Sequence, residues 1–148
     1  MPFRPHISLD VADIDRSVRF YSTVFATEPT KHYPDYANFR LTAPALHLAV
    51  VLAPGREGRR TGGEHFGVEF LEASELAGWR ERAEAAGLAL RVEEAVTCCY
   101  AVADKFWLSD PDGHEWEFWL RLEEADSLAT AAPQITSAAV CCAPACCE

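Results

Sequence analysis

The sequence predicts an α+β fold built from two β-α-β-β-β modules, and three observations carry this prediction. Each half begins with alternating polar and apolar residues, which is typical of a strand with one polar face. A helical apolar stripe follows each of these strands. The second half then repeats the first at a fixed offset of 59 residues, from His6 to His65. An internal repeat of this kind indicates a duplicated unit.

The first module is expected over about residues 3–52. Its first strand is predicted from Phe3 to Val11, and Asp13 is the predicted N-cap of a helix that ends near Phe25. Three further strands are predicted around Lys31, from Tyr36 to Thr42 and from Leu46 to Leu52. The polar, glycine-rich segment from Pro54 to Glu64 then connects the two modules.

The second module is expected over about residues 65–121. After the strand that begins at His65, a helix is predicted from about Ser74 to Ala86, ended by Gly87 as a left-handed C-cap. The remaining strands are predicted from Leu88 to Glu93, from Lys105 to Ser109 and from His114 to Arg121. The turn sequence Asp110-Pro111-Asp112-Gly113 predicts a hairpin between the last two strands.

The modules differ mainly between their second and third strands. There the first module has only Pro34-Asp35, whereas the second has about ten residues centred on Thr97-Cys98-Cys99-Tyr100. Long loops in small domains are often functional. We therefore expect residues 94–104 to form a mobile lid, with Tyr100 approaching the site and Lys105 near the hinge.

Composition limits the class of protein. The net charge of −10 disfavours nucleic acid and anionic membranes as partners. No apolar run reaches the roughly 20 residues of a membrane span, and the N-terminus lacks a signal-peptide core, so a cytoplasmic protein is expected. The length predicts a single domain over residues 1–122, followed by a flexible, cysteine-rich tail over 123–148.

Three residues form the candidate metal site and the candidate catalytic centre. His6 and His65 occupy matching positions on the first strand of each module, and Glu117 lies among aromatic residues on the last strand. Two imidazoles and one carboxylate form a facial triad with open coordination positions. This set favours Fe(II) in a metal cavity enclosed by a curved mixed sheet, although Mn, Ni or Zn could also bind. His47 is a possible fourth ligand that the sequence leaves open, whereas His32 and His114 are left outside the site.

All six cysteines occur in adjacent pairs, at residues 98–99, 141–142 and 146–147. Neighbouring Cα atoms lie about 3.8 Å apart, which is below the usual range for a disulfide. Each pair is therefore a candidate dithiol for a soft ligand such as trivalent arsenic, Cd or Zn. The role of the two pairs in the tail remains open.

These motifs resemble a known family. Over about residues 3–121, the doubled unit with His6, His65 and Asp110-Pro111-Asp112-Gly113 followed by Glu117 resembles the vicinal oxygen chelate superfamily. The run TCCYAVADKFWLSDPDGHEWEFW, with a tail of cysteine pairs, is similar to organoarsenical carbon–arsenic lyases and their cadmium-induced relatives.

The resemblance implies an Fe(II)-dependent enzyme that uses O₂ as co-substrate. Such an enzyme cleaves the C–As bond of trivalent methyl or aromatic arsenicals and releases arsenite. It implies that His6, His65 and Glu117 are iron ligands and that Cys98 and Cys99 bind arsenic. The partner is then a small-molecule trivalent organoarsenical, and a monomer and a homodimer are both compatible with the sequence.

Two alternatives remain open. One is a Mn-dependent thiol transferase of the fosfomycin-resistance type, which shares the metal motif but is not expected to carry the adjacent cysteines. The other is a non-catalytic protein that binds soft metals through its thiols. The second alternative leaves the two histidines and Glu117 without a role.

Overall fold

The computed structural model describes residues 3–55 and 64–126. In chain order the elements are β1 (His6–Val11), α1 (Ile14–Phe25), β2 (Lys31–Tyr33), β3 (Tyr36–Thr42), β4 (Ala45–Leu52), β5 (His65–Phe70), α2 (Ala73–Ala85), β6 (Arg91–Cys98), β7 (Ala101–Ser109) and β8 (Glu115–Glu124). This is the predicted order of elements. The two cysteine pairs of the predicted tail and most of the predicted connection between modules lie outside the described residues.

The eight strands form two four-stranded mixed sheets. Their strand orders are β1-β4-β3-β2 and β5-β8-β7-β6, so the two halves have the same topology. In each sheet the first strand pairs in parallel with the last, with His6 opposite His47 and His65 opposite Glu115. The predicted α+β fold with a duplicated β-α-β-β-β unit is thereby confirmed.

The chain divides into two compact units. The first contains β1 to β4, α1 and the segment Ser109–His114, and the second contains most of the remaining elements. A single domain over residues 1–122 stays a prediction. Strand β8 ends at Glu124, two residues beyond that predicted boundary.

In the first unit, helix α1 begins as the sequence predicted. Asp13 has extended backbone angles, and its carboxylate accepts a hydrogen bond from the Arg16 backbone N–H at 2.8 Å. Such an N-cap satisfies a donor that the first helical turn leaves unpaired. The predicted apolar stripe is buried and consists of Ile14, Val18, Tyr21 and Phe25.

The turn between β7 and β8 is closed by its own backbone and held by α1. Gly113 N–H donates to the Asp110 carbonyl at 3.0 Å, which confirms the predicted hairpin turn. The buried Asp110 carboxylate accepts hydrogen bonds from the Tyr21 hydroxyl at 2.6 Å and from His114 Nδ1 at 2.8 Å. Burial by itself would raise the pKa of Asp110, but the hydrogen bonds from His114 and Tyr21 outweigh it and hold that pKa below its ordinary value.

In the second unit, one face of the sheet packs against α2. Trp79 on α2 contacts Phe70 and Phe118, with ring centroids 5.4 and 5.6 Å apart, and Phe106 stacks on Phe118 at 4.8 Å. Gly87 follows the helix with φ of +74°, which confirms the left-handed end that the sequence predicted. Since alternate residues of a strand point to opposite faces, the other face of this sheet is left for polar groups.

The structure corrects the predicted ten-residue loop of the second module. Strand β6 continues to Cys98 and β7 begins at Ala101, so that only Cys99 and Tyr100 form the turn. Both have positive φ, 54° and 64°, as in the two-residue turn that matches the twist of a hairpin. The loop prediction was wrong because such turns are usually signalled by Asn-Gly, and Cys-Tyr carries no such signal. Movement of this hairpin on arsenic binding stays a prediction.

An irregularity interrupts β6 before the turn. Its register with β7 shifts between Glu93 and Val96, and Ala95 has φ of 49°. The Ala95 N–H, which points away from the regular ladder, donates to the Asp104 carboxylate at 2.7 Å. This β-bulge divides the hairpin into a base, which contains Glu93, and a tip, which carries Cys98 and Cys99.

Neither helix among the described residues is long and apolar enough to cross a bilayer.

Candidate functional site

Strand register brings several of the predicted site residues to one face of the second sheet. Gly67 on β5 is paired with Glu117 on β8, and two residues earlier His65 is paired with Glu115. On β6 and β7, Glu93 is paired with Lys105. Because paired residues share a face of a sheet, His65 and Glu117 lie on the side opposite α2.

His65 and Glu117 form a close pair. His65 Nε2 lies 3.4 Å from Glu117 Oε2. Two ligand atoms bound at right angles to one ion, each at about 2.1 Å, are about 3 Å apart. The nitrogen and oxygen atoms are therefore arranged as neighbouring ligands of one cation would be, and this donor set fits a divalent metal of the Fe or Zn type.

Gly67 creates room for this pair. A Cβ atom at residue 67 would lie 3.2 Å from the Glu117 carbonyl oxygen and 3.9 Å from Glu117 Oε2. A glycine inside a strand often marks such a close approach. Residue 67 thus allows the Glu117 side chain to lie directly over the neighbouring strand.

The second oxygen of Glu117 is held by a buried lysine. Lys105 Nζ donates to Glu117 Oε1 at 3.0 Å and lies 3.7 Å from Glu93 Oε2, while Lys105 as a whole is 5% exposed. Burial alone would raise the pKa of Glu117, but the hydrogen bond with His65 and the charge of Lys105 lower it below its ordinary value. The Glu117 carboxylate is therefore ionised at neutral pH.

The same arrangement keeps Lys105 charged. Burial by itself would lower the pKa of Lys105, but the charge and hydrogen bond of Glu117, with smaller contributions from Cys98 and Glu93, raise it above its ordinary value. The ammonium also lies 5.6 Å from the centre of the Trp107 ring. Trp107 in turn contacts His65, with ring centroids 5.0 Å apart.

Cys98 and Cys99 lie at the end of the β6–β7 hairpin. Their Sγ atoms are 3.3 Å apart and form no disulfide, with Cys98 half-buried and Cys99 exposed. Two sulfur atoms bound to one pyramidal or tetrahedral centre at about 2.3 Å are about 3.4–3.8 Å apart. The thiols are thus spaced closely enough to bind one soft atom together.

Cys98 and Glu117 share a face of the second sheet but lie at different positions along its strands. Cys98 is paired with Ala101, and Ala101 precedes Lys105 by four residues, about 13 Å along the strand. Tyr100, at the turn itself, is 56% exposed, and its carbonyl accepts a hydrogen bond from the Ala125 N–H at 2.8 Å.

His6, the third predicted ligand, belongs to the first unit, where it lies against His47. His6 Nδ1 is 3.2 Å from the His47 carbonyl oxygen, and the two rings are 4.5 Å apart. Burial lowers the pKa of His47, and the charges of His6, Arg40 and Arg4 lower it further. His32 and His114 lie in separate hydrogen bonds, with Asp15 and Asp110 respectively.

Within either unit, residues 3–55 and 64–126 contain no group of three or more His, Cys, Asp or Glu side chains arranged to hold a metal. His65 and Glu117 lie together within one unit, and their role as metal ligands, like the complete triad with His6, stays a prediction. Sequence reasoning missed Gly67, Glu93 and Trp107. Gly67 carried a usable signal because glycine is unfavourable inside a strand, whereas Glu93 lay in a strand whose end was misplaced.

The duplicated β-α-β-β-β unit, with two four-stranded mixed sheets of the same strand order, defines the class of paired-module α+β folds. The chain belongs to the Glyoxalase/Bleomycin resistance protein/Dioxygenase superfamily, whose family model matches residues 4–118. The resemblance stated from the sequence motifs is therefore confirmed at the level of the superfamily.

Two relatives and one solved structure illustrate the relationship. The chain is 36% identical over 146 residues to a trivalent organoarsenical cleaving enzyme of Bacillus sp. (strain MD1), covering 94% of this chain and 89% of the relative. It is 35% identical over 124 residues to the cadmium-induced protein CadI of Mycobacterium bovis, covering 84% and 80%. A glyoxalase/bleomycin resistance protein/dioxygenase from Alicyclobacillus acidocaldarius shares the fold, with a TM-score of 0.68 at 20% identity over 80% of this chain and 90% of that one.

Proposed function

We propose that this protein is an Fe(II)-dependent carbon–arsenic lyase that uses O₂ to convert trivalent organoarsenicals into arsenite. Its substrates are methylarsenite and aromatic arsenicals. The observation that carries the proposal is a pair of thiols 3.3 Å apart, of which Cys98 lies on the same face of the second sheet as the His65–Glu117 pair. Relatives at 36% identity named as trivalent organoarsenical cleaving enzymes support it.

The thiols bind the substrate by ligand exchange. An organoarsenous acid, R–As(OH)₂, reacts with Cys98 and Cys99 to form two As–S bonds and release two molecules of water. Arsenic keeps its oxidation state and its bond to carbon in this step. Replacement of both hydroxyls on one arsenic atom requires two thiols that lie close together, and Cys98 and Cys99 are arranged in this way at the β6–β7 turn. Selectivity for trivalent arsenic thus comes from the cysteines.

His65 and Glu117, with His6 as the predicted third ligand, are proposed to hold the iron. When bound there, Fe(II) supplies the electrons with which O₂ is activated for oxidative cleavage of the C–As bond. For methylarsenite the reaction balances as CH₃As(OH)₂ + O₂ giving As(OH)₃ and formaldehyde. Lys105 Nζ donates to Glu117 Oε1, which leaves Oε2 beside His65 Nε2.

Burial of Glu117 and Lys105 also favours the proposed oxidative cleavage of the C–As bond. Lys105 is almost fully buried, and Glu117 is largely shielded from solvent. Groups in such an environment interact more strongly with charge than groups in water do. Exclusion of water also protects a reactive oxygen species from side reactions.

The tip of the hairpin, which carries the bound arsenic, is expected to move toward Glu117 by bending at the bulge near Ala95.

The decisive experiment separates metal, oxygen and thiol requirements. The purified protein is loaded anaerobically with Fe(II), mixed with methylarsenite with or without O₂, and arsenite is quantified by chromatography with element-specific detection. We expect arsenite and formaldehyde in equal amounts, and only when both Fe(II) and O₂ are present. Full activity with Mg(II), after thorough chelation or without O₂ would contradict the proposal.

Matched variants assign the two sites. His6→Ala, His65→Ala and Glu117→Ala should each abolish turnover because a three-ligand site has no surplus ligand. Cys98→Ser or Cys99→Ser should abolish arsenical binding while metal binding persists, because the two sites use different ligands. A Cys141→Ser, Cys142→Ser double variant serves as the control that keeps the thiols of the turn and should retain turnover.

A second candidate function is the sequestration of soft metals without catalysis. The adjacent thiols would also bind Cd(II), and a relative at 35% identity is named as a cadmium-induced protein. The same experiment distinguishes the two functions, because a sequestering protein would retain methylarsenite on its thiols and release no arsenite in the presence of Fe(II) and O₂.

A further inference from the structure

A line of polar contacts crosses the first sheet and ends at His6, and the function proposed above assigns no role to its other members. It runs from Tyr36 and Asn38 on β3, through His47 on β4, to His6 on β1. Register places His47 opposite both His6 and Arg40, and Asn38 opposite Ala49. These side chains therefore lie on one face of the sheet, where each can restrain the next.

The contact between His6 and the His47 carbonyl oxygen determines which ring nitrogen of His6 is available to a metal. His6 Nδ1 lies 3.2 Å from the His47 carbonyl oxygen, and a carbonyl can only accept a hydrogen bond. Nδ1 therefore carries the proton in neutral His6. The lone pair resides on Nε2, which is the atom left to bind a metal. The backbone of β4 thus selects the ligand atom of His6.

The middle of the line restrains the imidazole rings. The His47 ring lies 4.5 Å from the His6 ring at an interplanar angle of 39°. His47 Nε2 accepts a hydrogen bond from Asn38 Nδ2 at 3.3 Å, and the same amide donates to the Tyr36 hydroxyl at 3.0 Å. Asn38 is only 2% exposed, so that its amide cannot readily exchange these partners for water. A buried amide fixed at two points holds the His47 ring, and this ring limits the rotation of His6.

We propose that Asn38 and His47 are positioning residues that preorganise His6 as a metal ligand. The proposal rests on the proposed function, in which His6 binds the iron. Metal-binding histidines commonly donate their second ring N–H to a fixed oxygen, and loss of such supporting contacts typically weakens metal binding about 10- to 100-fold. His47 is then a support for the site and contributes no bond to the metal.

The test measures metal affinity directly, with Co(II) as the probe. Co(II) is titrated into the anaerobic metal-free protein, and the dissociation constant and visible absorption spectrum are recorded for each variant. Asn38→Leu removes both hydrogen bonds of the amide at similar volume, and His47→Leu removes the ring. Each should weaken Co(II) binding at least about tenfold. His47→Gln keeps an acceptor for Asn38 and should recover part of the loss. Thr42→Val, at the exposed end of β3, is the matched control and should bind as the wild type does.

A second measurement reports on His6 without any metal. Nitrogen-15 NMR of the imidazole rings distinguishes a proton on Nδ1 from one on Nε2. Wild-type His6 should be the Nδ1–H form, and the Asn38→Leu and His47→Leu variants should contain a larger share of the Nε2–H form. Because Asn38 is buried and its replacement could impair folding, the less buried His47 variants provide the same test independently.

The outcomes separate this inference from the proposed function. If His6→Ala abolishes Co(II) binding but Asn38→Leu and His47→Leu bind as tightly as the wild type, the inference fails alone. If His6→Ala binds Co(II) with unchanged affinity and spectrum, His6 is no ligand and the proposed metal site fails as well. A large loss in His47→Gln equal to that of His6→Ala would also overturn the inference, because it would identify His47 as a ligand.

Discussion

Lys105 places a permanent positive charge beside the proposed metal ligand Glu117. In the metal-free protein this ammonium balances the charges of Glu117 and Glu93, at 3.0 and 3.7 Å. A divalent cation bound to Glu117 would compete with Lys105 for the same carboxylate. Stability without metal and affinity for metal are therefore expected to change in opposite directions when this charge is removed.

Lys105→Met tests this opposition. Removing one partner of a buried ion pair typically costs about 3–5 kcal/mol, so that the free energy of unfolding of the metal-free protein should fall by about 3 kcal/mol. Co(II) should bind more tightly than it does to the wild type, because the competing cation is gone. Urea unfolding and Co(II) titration measure the two effects. Lys105→Arg retains the charge and is the control, and weaker Co(II) binding by Lys105→Met would show that the lysine supports the metal.

For single residues, the sequence indicated the types of side chain at the site better than the contacts between them. The offset between His6 and His65 and the aromatic neighbours of Glu117 were sufficient to identify candidate ligands. The position of Lys105 against Glu117 and Glu93 could not be predicted, because it depends on the register of β6, β7 and β8. Register is determined by turns and bulges that the sequence did not reveal.

Among the secondary-structure elements, the β6–β7 hairpin has the most unusual backbone. Cys99 and Tyr100 both adopt left-handed conformations, which are unfavourable for residues with a side chain. The dithiol is presented at this turn, so the strained backbone and the proposed arsenic site coincide. Strain of this kind is often found where function requires a particular geometry.

Tyr100→Gly should relieve part of this strain. Glycine adopts positive φ without steric cost, and the exposed Tyr100 side chain loses few contacts, so the free energy of unfolding should rise by about 0.5–1 kcal/mol. Thermal unfolding followed by circular dichroism measures the change. Thr97→Gly, in the regular part of β6, should instead destabilise the protein and serves as control. A lower melting temperature for Tyr100→Gly would mean that the tyrosine ring stabilises the turn.

Most elements could be predicted because their patterns are local. Asp13 as a helix cap, Gly87 as a helix end and Asp110-Pro111-Asp112-Gly113 as a hairpin turn each act through neighbouring residues, and the structure confirms them. The β6–β7 hairpin was missed because its turn lacks glycine and asparagine. Its strands extend through Val96 and Val102, whose β-branched side chains favour strands, although the prediction places both residues in a loop.

Across the whole molecule, the carboxylates of Asp110 and Asp112 make the polar contacts that join the first unit over the longest stretches of chain. The hydrogen bond between Asp110 and Tyr21 joins residues 89 positions apart in the chain. Asp112 contributes in the same way, accepting from the Ala12 N–H at 3.0 Å and from Arg16 Nη2 at 3.2 Å. Loss of these acceptors would leave buried donors unpaired.

Asp110→Asn should destabilise the protein in a pH-dependent manner. Hydrogen bonds to a buried charged group contribute about 1.5–3 kcal/mol each, and we expect the free energy of unfolding at pH 7 to fall by about 3 kcal/mol. The pKa of Asp110 lies below its ordinary value of 3.8 in the folded protein. Its stabilising effect is therefore complete well above pH 3.8 and is lost as the pH falls through the lower folded value.

Urea unfolding between pH 7 and pH 3 measures this effect. The difference between the wild type and Asp110→Asn should shrink toward the acid end of the range. Asp35→Asn, at an exposed position, is the control and should show no such trend. Glu117 also has a lowered pKa and contributes to acid unfolding in both proteins, so the comparison isolates Asp110. A difference that remains constant down to pH 3 would contradict the assignment.

The position of the Asp110 turn has a consequence for how the protein is made. A ribosome releases β1 to β4 and α1 long before it reaches residue 110, so Tyr21 emerges without the acceptor it has in the native fold. The first repeat consequently acquires its last buried contacts only after nearly all of the second repeat has been translated. Although the two repeats have the same topology, a gene divided between them would encode a first half that lacks Asp110 and Asp112. The first copy in the duplicated chain thus takes part of its buried polar contacts from a segment that lies within the second copy's sequence.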